Sequence, residues 1–149
     1  AHVPLRPHRD RDGDRPAGKR MILKRVAQPG TLEKIRQWIV ESRAPGSVVN
    51  MSGRYYVLVD NETHVAAAGL KRLSWLLTEL KHVVVAPEFR RRGYGRAVVR
   101  LALEKAQTPV VIATVREDVP WWQRAMELED FDEVCRVETP RGAIHLLWT

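Results

Sequence analysis

A chain of 149 residues is long enough for one domain with a real core and too short for two. Its composition, 44% hydrophobic and 29% charged with both signs spread along the chain, is that of a soluble globular protein and excludes a disordered one; no apolar run approaches the ~18 residues of a spanning helix. The formal charge of +7 favours anionic partners, and a lone cysteine, Cys135, excludes an internal disulfide.

Residues 1–20, AHVPLRPHRDRDGDRPAGKR, have almost nothing to bury and read as a basic N-terminal arm or linker, with 21–149 as the folded domain. Arginines there are not followed by an apolar stretch, and Asp10, Asp12 and Asp14 interrupt them. Neither a secretory signal nor a transit peptide is indicated, so cytoplasmic residence is the default expectation.

MILKRVA (21–27) alternates well enough for a first strand, and Pro29-Gly30 stops it. Thr31 is placed to cap a helix over LEKIRQWIVES, in which Leu32, Ile35 and Ile39 share a face; APGS (44–47) ends that element. RYYVLVD (54–60), NE and THVAAAGLKRL (63–73) read as a hairpin. TELKHVVVA (78–86) reads as a strand whose VVV is buried on both faces. A helix of three to four turns follows, with Ala97, Val98, Leu101 and Ala102 in one stripe. PVVIATV (109–115) is the most hydrophobic strand and is expected at the centre of the sheet, and VPWWQRAMELED (119–130) is a helix pattern with proline near its start. DEVCRVE and AIHLLWT flank TPRG as a closing hairpin, in which Cys135 is expected as a buried structural thiol. The order gives an α/β fold of the α+β kind: a central mixed sheet flanked by helices on both faces, with residues 78–115 as a parallel crossover.

Between the VVV strand and its helix stands PEFRRRGYGRA (87–97). A plain turn needs one glycine and no such density of charge. A helix N-terminus offers unpaired N–H groups and a partial positive charge, both suited to an anion. Gly93 and Gly95 permit a tight turn and a close approach, and Arg90, Arg91, Arg92 and Arg96 add charge around the same opening. The stretch is built like a diphosphate cradle. It is not a dinucleotide fingerprint, since Val98 stands where a third glycine is required, nor a P-loop, since no Lys-Ser/Thr pair follows. The plainer alternatives are a basic surface turn or an arginine–glycine contact to nucleic acid, which usually sits in disordered repeats.

VVVAPEFRRRGYGRA resembles motif A of the GNAT superfamily of acetyl-CoA-dependent N-acyltransferases, whose pattern is Q/R-x-x-G-x-G/A after a strand ending in an apolar-x-Pro turn. Here the pattern falls on Arg90, Arg91, Arg92, Gly93, Tyr94 and Gly95. The element order from 21 to 149 is similar to that family's as well. The resemblance implies acetyl-CoA as cosubstrate, with the backbone of Val83, Val84 and Val85 pairing with its pantetheine arm. The cradle from Arg90 to Ala97 would hold its diphosphate, and the GNAT-like sheet would carry both.

Acyl transfer to an amine needs a base, directly or through water. Glu79, eleven residues before Arg90, matches the spacing of the general-base glutamate in histone-acetylating members; the alternative is an ordinary glutamate paired with Lys81 or Lys71. His82 is a weaker candidate, expected on the opposite face because it lies three residues on. Many members protonate the leaving thiolate from a tyrosine in N-x-x-A-x-x-x-Y before Gly-Phe. Aligning Phe131 puts Asp130 at the glycine, Met126 at the tyrosine, Trp122 at the alanine and Val119 at the asparagine, so only the phenylalanine is kept. Tyr55, Tyr56 or Tyr94 could stand in for the acid, as could water or the thiol of coenzyme A itself, and nothing in the sequence selects one. Trp121 and Trp122 either wall the channel or pack in the core, and adjacency argues against both facing inward. Arg116 either orients an acidic acceptor or is a solvated loop arginine. The histidines lack metal-ligand spacing except, loosely, His2 and His8 in the arm, and no metal is expected. The sequence does not identify the acceptor, which could be a protein amine, a small molecule or an amine on modified nucleic acid; the positive balance favours an anionic acceptor over a polyamine. The rival reading keeps this fold as a nucleic-acid-binding or interaction module without turnover, motivated by the missing tyrosine and the arginine-rich arm.

Overall fold

The computed structural model describes residues 21–43 and 48–149. The expected arm, 1–20, and the expected helix stop at 44–47 lie outside them. Among the described residues seven strands form one sheet: β1 (Met21–Arg25), β2 (Arg54–Asp60), β3 (Thr63–Arg72), β4 (Leu77–Val85), β5 (Val110–Arg116), β6 (Asp132–Thr139) and β7 (Gly142–Trp148). They lie in the order β1-β2-β3-β4-β5-β7-β6. Every neighbouring pair is antiparallel except β4 and β5. Helix α1 (Pro29–Glu41) follows β1, α2 (Tyr94–Lys105) joins β4 to β5, and α3 (Pro120–Leu128) follows β5. Among the described residues no helix is long and apolar enough to cross a membrane.

Strand alternation sorts the side chains onto two faces. Tyr55, Val57 and Val59 of β2 pack with Ala67, Val84 and the α1 residues Ile35, Trp38 and Ile39. Their neighbours Tyr56 and Leu58 pack with Ala66, Leu80, Val85 and the α2 residues Val98, Val99 and Ala102, and Met126 of α3 joins that second core. One helix therefore covers one face, and two cover the other.

Several local expectations need correction. Helix α1 starts at Pro29 with Gln28 as N-cap, and no side chain caps it. Proline's fixed φ suits the first helical turn and its missing N–H costs nothing there, so the helix begins before Thr31. The most hydrophobic strand, β5, is one place off centre; β4 is the middle strand. Cys135 is exposed, not buried, because β6 is the sheet edge and its residues from Asp132 to Glu138 are all exposed. Alternation alone does not tell an edge strand from a half-buried one. The two-residue hairpin turn, Asn61-Glu62, holds as expected, with φ of 50° and 67° in the left-handed region that such turns demand.

Candidate active site

The parallel pairing of β4 with β5 runs only from Leu77↔Val110 to Leu80↔Ala113. Past that point β5 pairs with β7, and among the described residues no strand pairs with β4 on that side. The two strands diverge, and a cleft of about 870 Å³ opens between them. Its wall includes Glu41, Ser42 and Arg43 from the end of α1 and Gly93, Tyr94, Gly95 and Arg96 from the start of α2. Because α1 and α2 lie on opposite faces, the cleft passes through the sheet.

On the α2 face the wall is a turn and a helix start. Pro87–Phe89 form a single 3₁₀ turn, and Arg90, Arg91 and Arg92 are exposed beyond it. The Arg92 guanidinium lies 5.5 Å from the centre of the Phe89 ring. Gly93 caps α2 with φ of 82°, and a Cβ there would meet nothing within 4 Å. Its role is purely conformational. The Ala97 N–H is bonded back to the Gly93 carbonyl, so the amides of Tyr94, Gly95 and Arg96 precede the first intrahelical bond and are turned outward.

Gly95 has a different reason. A Cβ there would stand 3.0 Å from Cη2 and 3.1 Å from Cζ3 of Trp122, so the indole of α3 lies directly on the start of α2. Trp121 stacks beside it at 4.1 Å between ring centroids, and both indoles line the cleft, Trp121 remaining 52% exposed. As adjacency requires, only Trp122 packs against the core, and the exposed Trp121 borders the cleft beside it. Two of the sequence-predicted residues are turned elsewhere by their side chains. Arg96 Nε donates to Glu129 Oε1 at 2.9 Å, tying α2 to the end of α3. Tyr94 Oη donates to Asp60 Oδ2 at 2.5 Å, which holds its phenol neutral by raising its pKa.

The opposite mouth is set by a bulge. Gly69 pairs with Lys81 and Ala67 with Val84, so Ala68 faces both His82 and Val83. His82 sits at φ 51°. The extra residue cancels one alternation step, and the His82 ring stacks on Tyr55, 6.0 Å away, with Tyr55 Oη and Nδ1 hydrogen-bonded at 2.5 Å. The expectation that His82 and Glu79 occupy opposite faces therefore fails: Glu79, like Lys81, shares the α1 face with Tyr55 and His82. Burial, then Arg43 and Lys81, push the imidazole down to about 4, so it is neutral at pH 7. Burial above all pushes the Tyr55 phenol up to about 12.

Beside His82, Arg43 and Arg116 line the same mouth. Arg116 alternates with Val115, a residue of the α2-face core, and so points to the α1 face. Its guanidinium grips Asp118 through Nε at 2.9 Å and Nη2 at 2.8 Å. Burial and the Arg116 charge both depress the Arg43 pKa, so the two cations feel each other.

The sequence-predicted residues thus divide. Val83, Val85 and the loop from Arg90 to Arg96 border the cleft, apart from Arg92; Val84 packs under α1, Ala97 is buried in the α2 core and Glu79 does not line the cleft. Glu79 is half-buried, and Lys71 of β3 is its neighbour in the strand register. Met126 lines the cleft where a tyrosine was sought, and Tyr56 is buried in the core on the α2 face. Arg43 was missed: in the sequence it precedes Ala-Pro-Gly, and nothing in its local pattern marks it.

The profile of the acetyltransferase (GNAT) family matches residues 23–127, well over half of the chain. The chain belongs to the GNAT acetyltransferase family. GNAT activity is transfer of an acetyl group from acetyl-CoA to an amine, and the cleft fits that cosubstrate: outward amides at the α2 start, flanking arginines, and an unpaired β4 edge beyond Leu80. Among solved structures, this GNAT chain is similar to the spermidine N-acetyltransferase SpeG from Vibrio cholerae. In its complex with CoA and spermine, that enzyme shows 16% identity and a TM-score of 0.71 over 87% of this chain and 94% of that one. One of its variants reaches a TM-score of 0.74 at 15% identity, over 87% and 92%. At this identity the likeness speaks for the fold. No curated protein matches the sequence. Among the described residues no group of three or more His, Cys, Asp or Glu is placed to hold a metal ion.

Proposed function

We propose that acetyl-CoA enters from the α2 face and a primary amine from the α1 face, the two meeting inside the sheet. The observation that carries this is the cleft itself, open to both faces with anion-binding amides on one side only. When bound, acetyl-CoA supplies a thioester carbonyl; the amine attacks it, an amide forms and the C–S bond breaks. The amides of Tyr94, Gly95 and Arg96 and the charges of Arg90 and Arg91 would hold the diphosphate. The free edge of Val83–Val85 would align the pantetheine arm, and Trp122 would exclude water from the channel. Positioning two reactants in this way supplies much of the rate.

A base must lie within hydrogen-bond reach of the amine, or one water away. Glu79 does not line the cleft, whereas His82 stands in its wall. With Nδ1–H donated to Tyr55 Oη, His82 presents the Nε2 lone pair to the amine. Glu79 then acts at a distance, its charge opposing ionisation of Tyr55. The single-turnover rate of acetyl transfer tests the assignment. His82→Gln is expected to lower it roughly a hundredfold or more, and Glu79→Gln by less. Equal rates in the wild type and His82→Gln would remove His82 from the base role, and a larger loss in Glu79→Gln would restore the glutamate to it. A polyamine, the acceptor in the name of the Vibrio cholerae enzyme, is disfavoured here because Arg43 and Arg116 flank the entry.

A further inference from the structure

Granted acetyl transfer as proposed above, on which this step rests, we infer that the acceptor carries a carboxylate beside its amine, and that Arg43 and Arg116 bind it. Of the described residues lining the cleft, Glu41 alone is a carboxylate, against five arginines: Arg43, Arg90, Arg91, Arg96 and Arg116. Three of these stand in the cradle or the α2–α3 tie, which leaves Arg43 and Arg116 at the acceptor mouth.

Neither arginine there is fully used by the fold. Asp118 occupies the Nε and Nη2 edge of Arg116, and Nη1 has no partner among the described residues. Arg43 is half-buried, and its guanidinium has no carboxylate partner among the described residues. Two like charges held together, one of them partly desolvated, are unfavourable alone and become favourable when an anion bridges them. A guanidinium presents a planar fork matched to a carboxylate, so the pair selects geometry as well as sign. His82 lies on the same face, its ionisation already opposed by Arg43. A carboxylate seated on the arginines would place the amine of the same molecule toward His82 and the opening through the sheet. A second amine in place of the carboxylate would instead meet two cations. Glu41 lines this mouth too, and it is the one group there that would favour a cation.

The test is a matched panel assayed for acetyl-CoA consumption: glycine, β-alanine and 4-aminobutyrate, alkylamines of the same length, the corresponding diamines and aminoalkylphosphonates. The wild-type protein should use the acids with kcat/KM at least roughly tenfold above the matched alkylamines, the range of a charge-assisted hydrogen bond. In Arg43→Gln and Arg116→Gln that ratio should fall, chiefly through KM for the acids, while the Tm rise with coenzyme A persists and shows the variants folded. Alkylamines, diamines or phosphonates used as well as the carboxylates would overturn the inference and leave the acetyltransferase reading standing. So would turnover of no panel member while coenzyme A still raises Tm. Absence of both turnover and any stabilisation by coenzyme A would overturn the two together.

Discussion

Replacing Gly93 by alanine isolates the backbone contribution to the cradle. A Cβ at this position meets nothing within 4 Å, so no steric clash enters, and only the left-handed φ of 82° resists the change. Holding an alanine there costs about 1–2 kcal/mol. The alanine chain also loses less entropy on folding, which returns about 0.4–1 kcal/mol. The net expectation is destabilisation by about 1 kcal/mol, or about 3–5 °C in Tm for a chain of this size. Differential scanning fluorimetry measures it directly, and the same plate with coenzyme A tests whether the tilted amides bind less well. Gly93→Asn serves as the partner, since asparagine tolerates the left-handed region, and should fall between glycine and alanine. A Gly93→Ala protein as stable as the wild type, or an asparagine variant worse than alanine, would refute the idea that this turn is held by conformation alone.

Other perturbations reach the remaining parts of the site. Because the folded pKa of His82 lies near 4 and its ordinary value near 6.5, the unfolded chain binds the extra proton between those pH values. Stability from this group is complete above pH 6.5 and is lost as pH falls toward 4; discounted for the solvent in the half-open cleft, the loss is about 1–2 kcal/mol. Urea unfolding of His82→Gln across that window should show a correspondingly flatter profile, and an unchanged slope would sink the assignment. Gly69→Ala places a Cβ 2.8 Å from Cε2 of the buried Tyr55 ring, so a loss of about 1–3 kcal/mol is expected together with slowed acetyl transfer. Normal turnover in that variant would show the Tyr55–His82 pair to be dispensable. Tyr94→Phe removes the bond to Asp60 and should cost about 0.5–1.5 kcal/mol by chemical denaturation; no change would mean that water replaces the phenol without loss.

Periodicity placed β2, β3 and the closing hairpin within a residue or two and marked the buried stripe of α2, because alternation and the helical stripe are local patterns written by side-chain burial. RRRGYG was legible for the same reason: a left-handed turn needs glycine, and an anion site at a helix start needs charge beside it. Glu79 was legible only as a spacing; it stays out of the cleft because it lies where β4 is still paired with β5, opposite Ile112. Cys135 looked like the buried thiol of an alternating strand until the strand order made β6 an edge.

What the sequence by itself determined is the list of elements, their apolar faces and the cradle between β4 and α2. Only the tertiary structure decided which residues meet across the opening. The bulge that turns His82 toward Tyr55 depends on pairing with β3 around Ala68, and Arg43 and Arg116 come to line one cleft because the end of α1 and the end of β5 border it together. Both are arrangements of distant segments, set by register and layer packing, and no local pattern carries them.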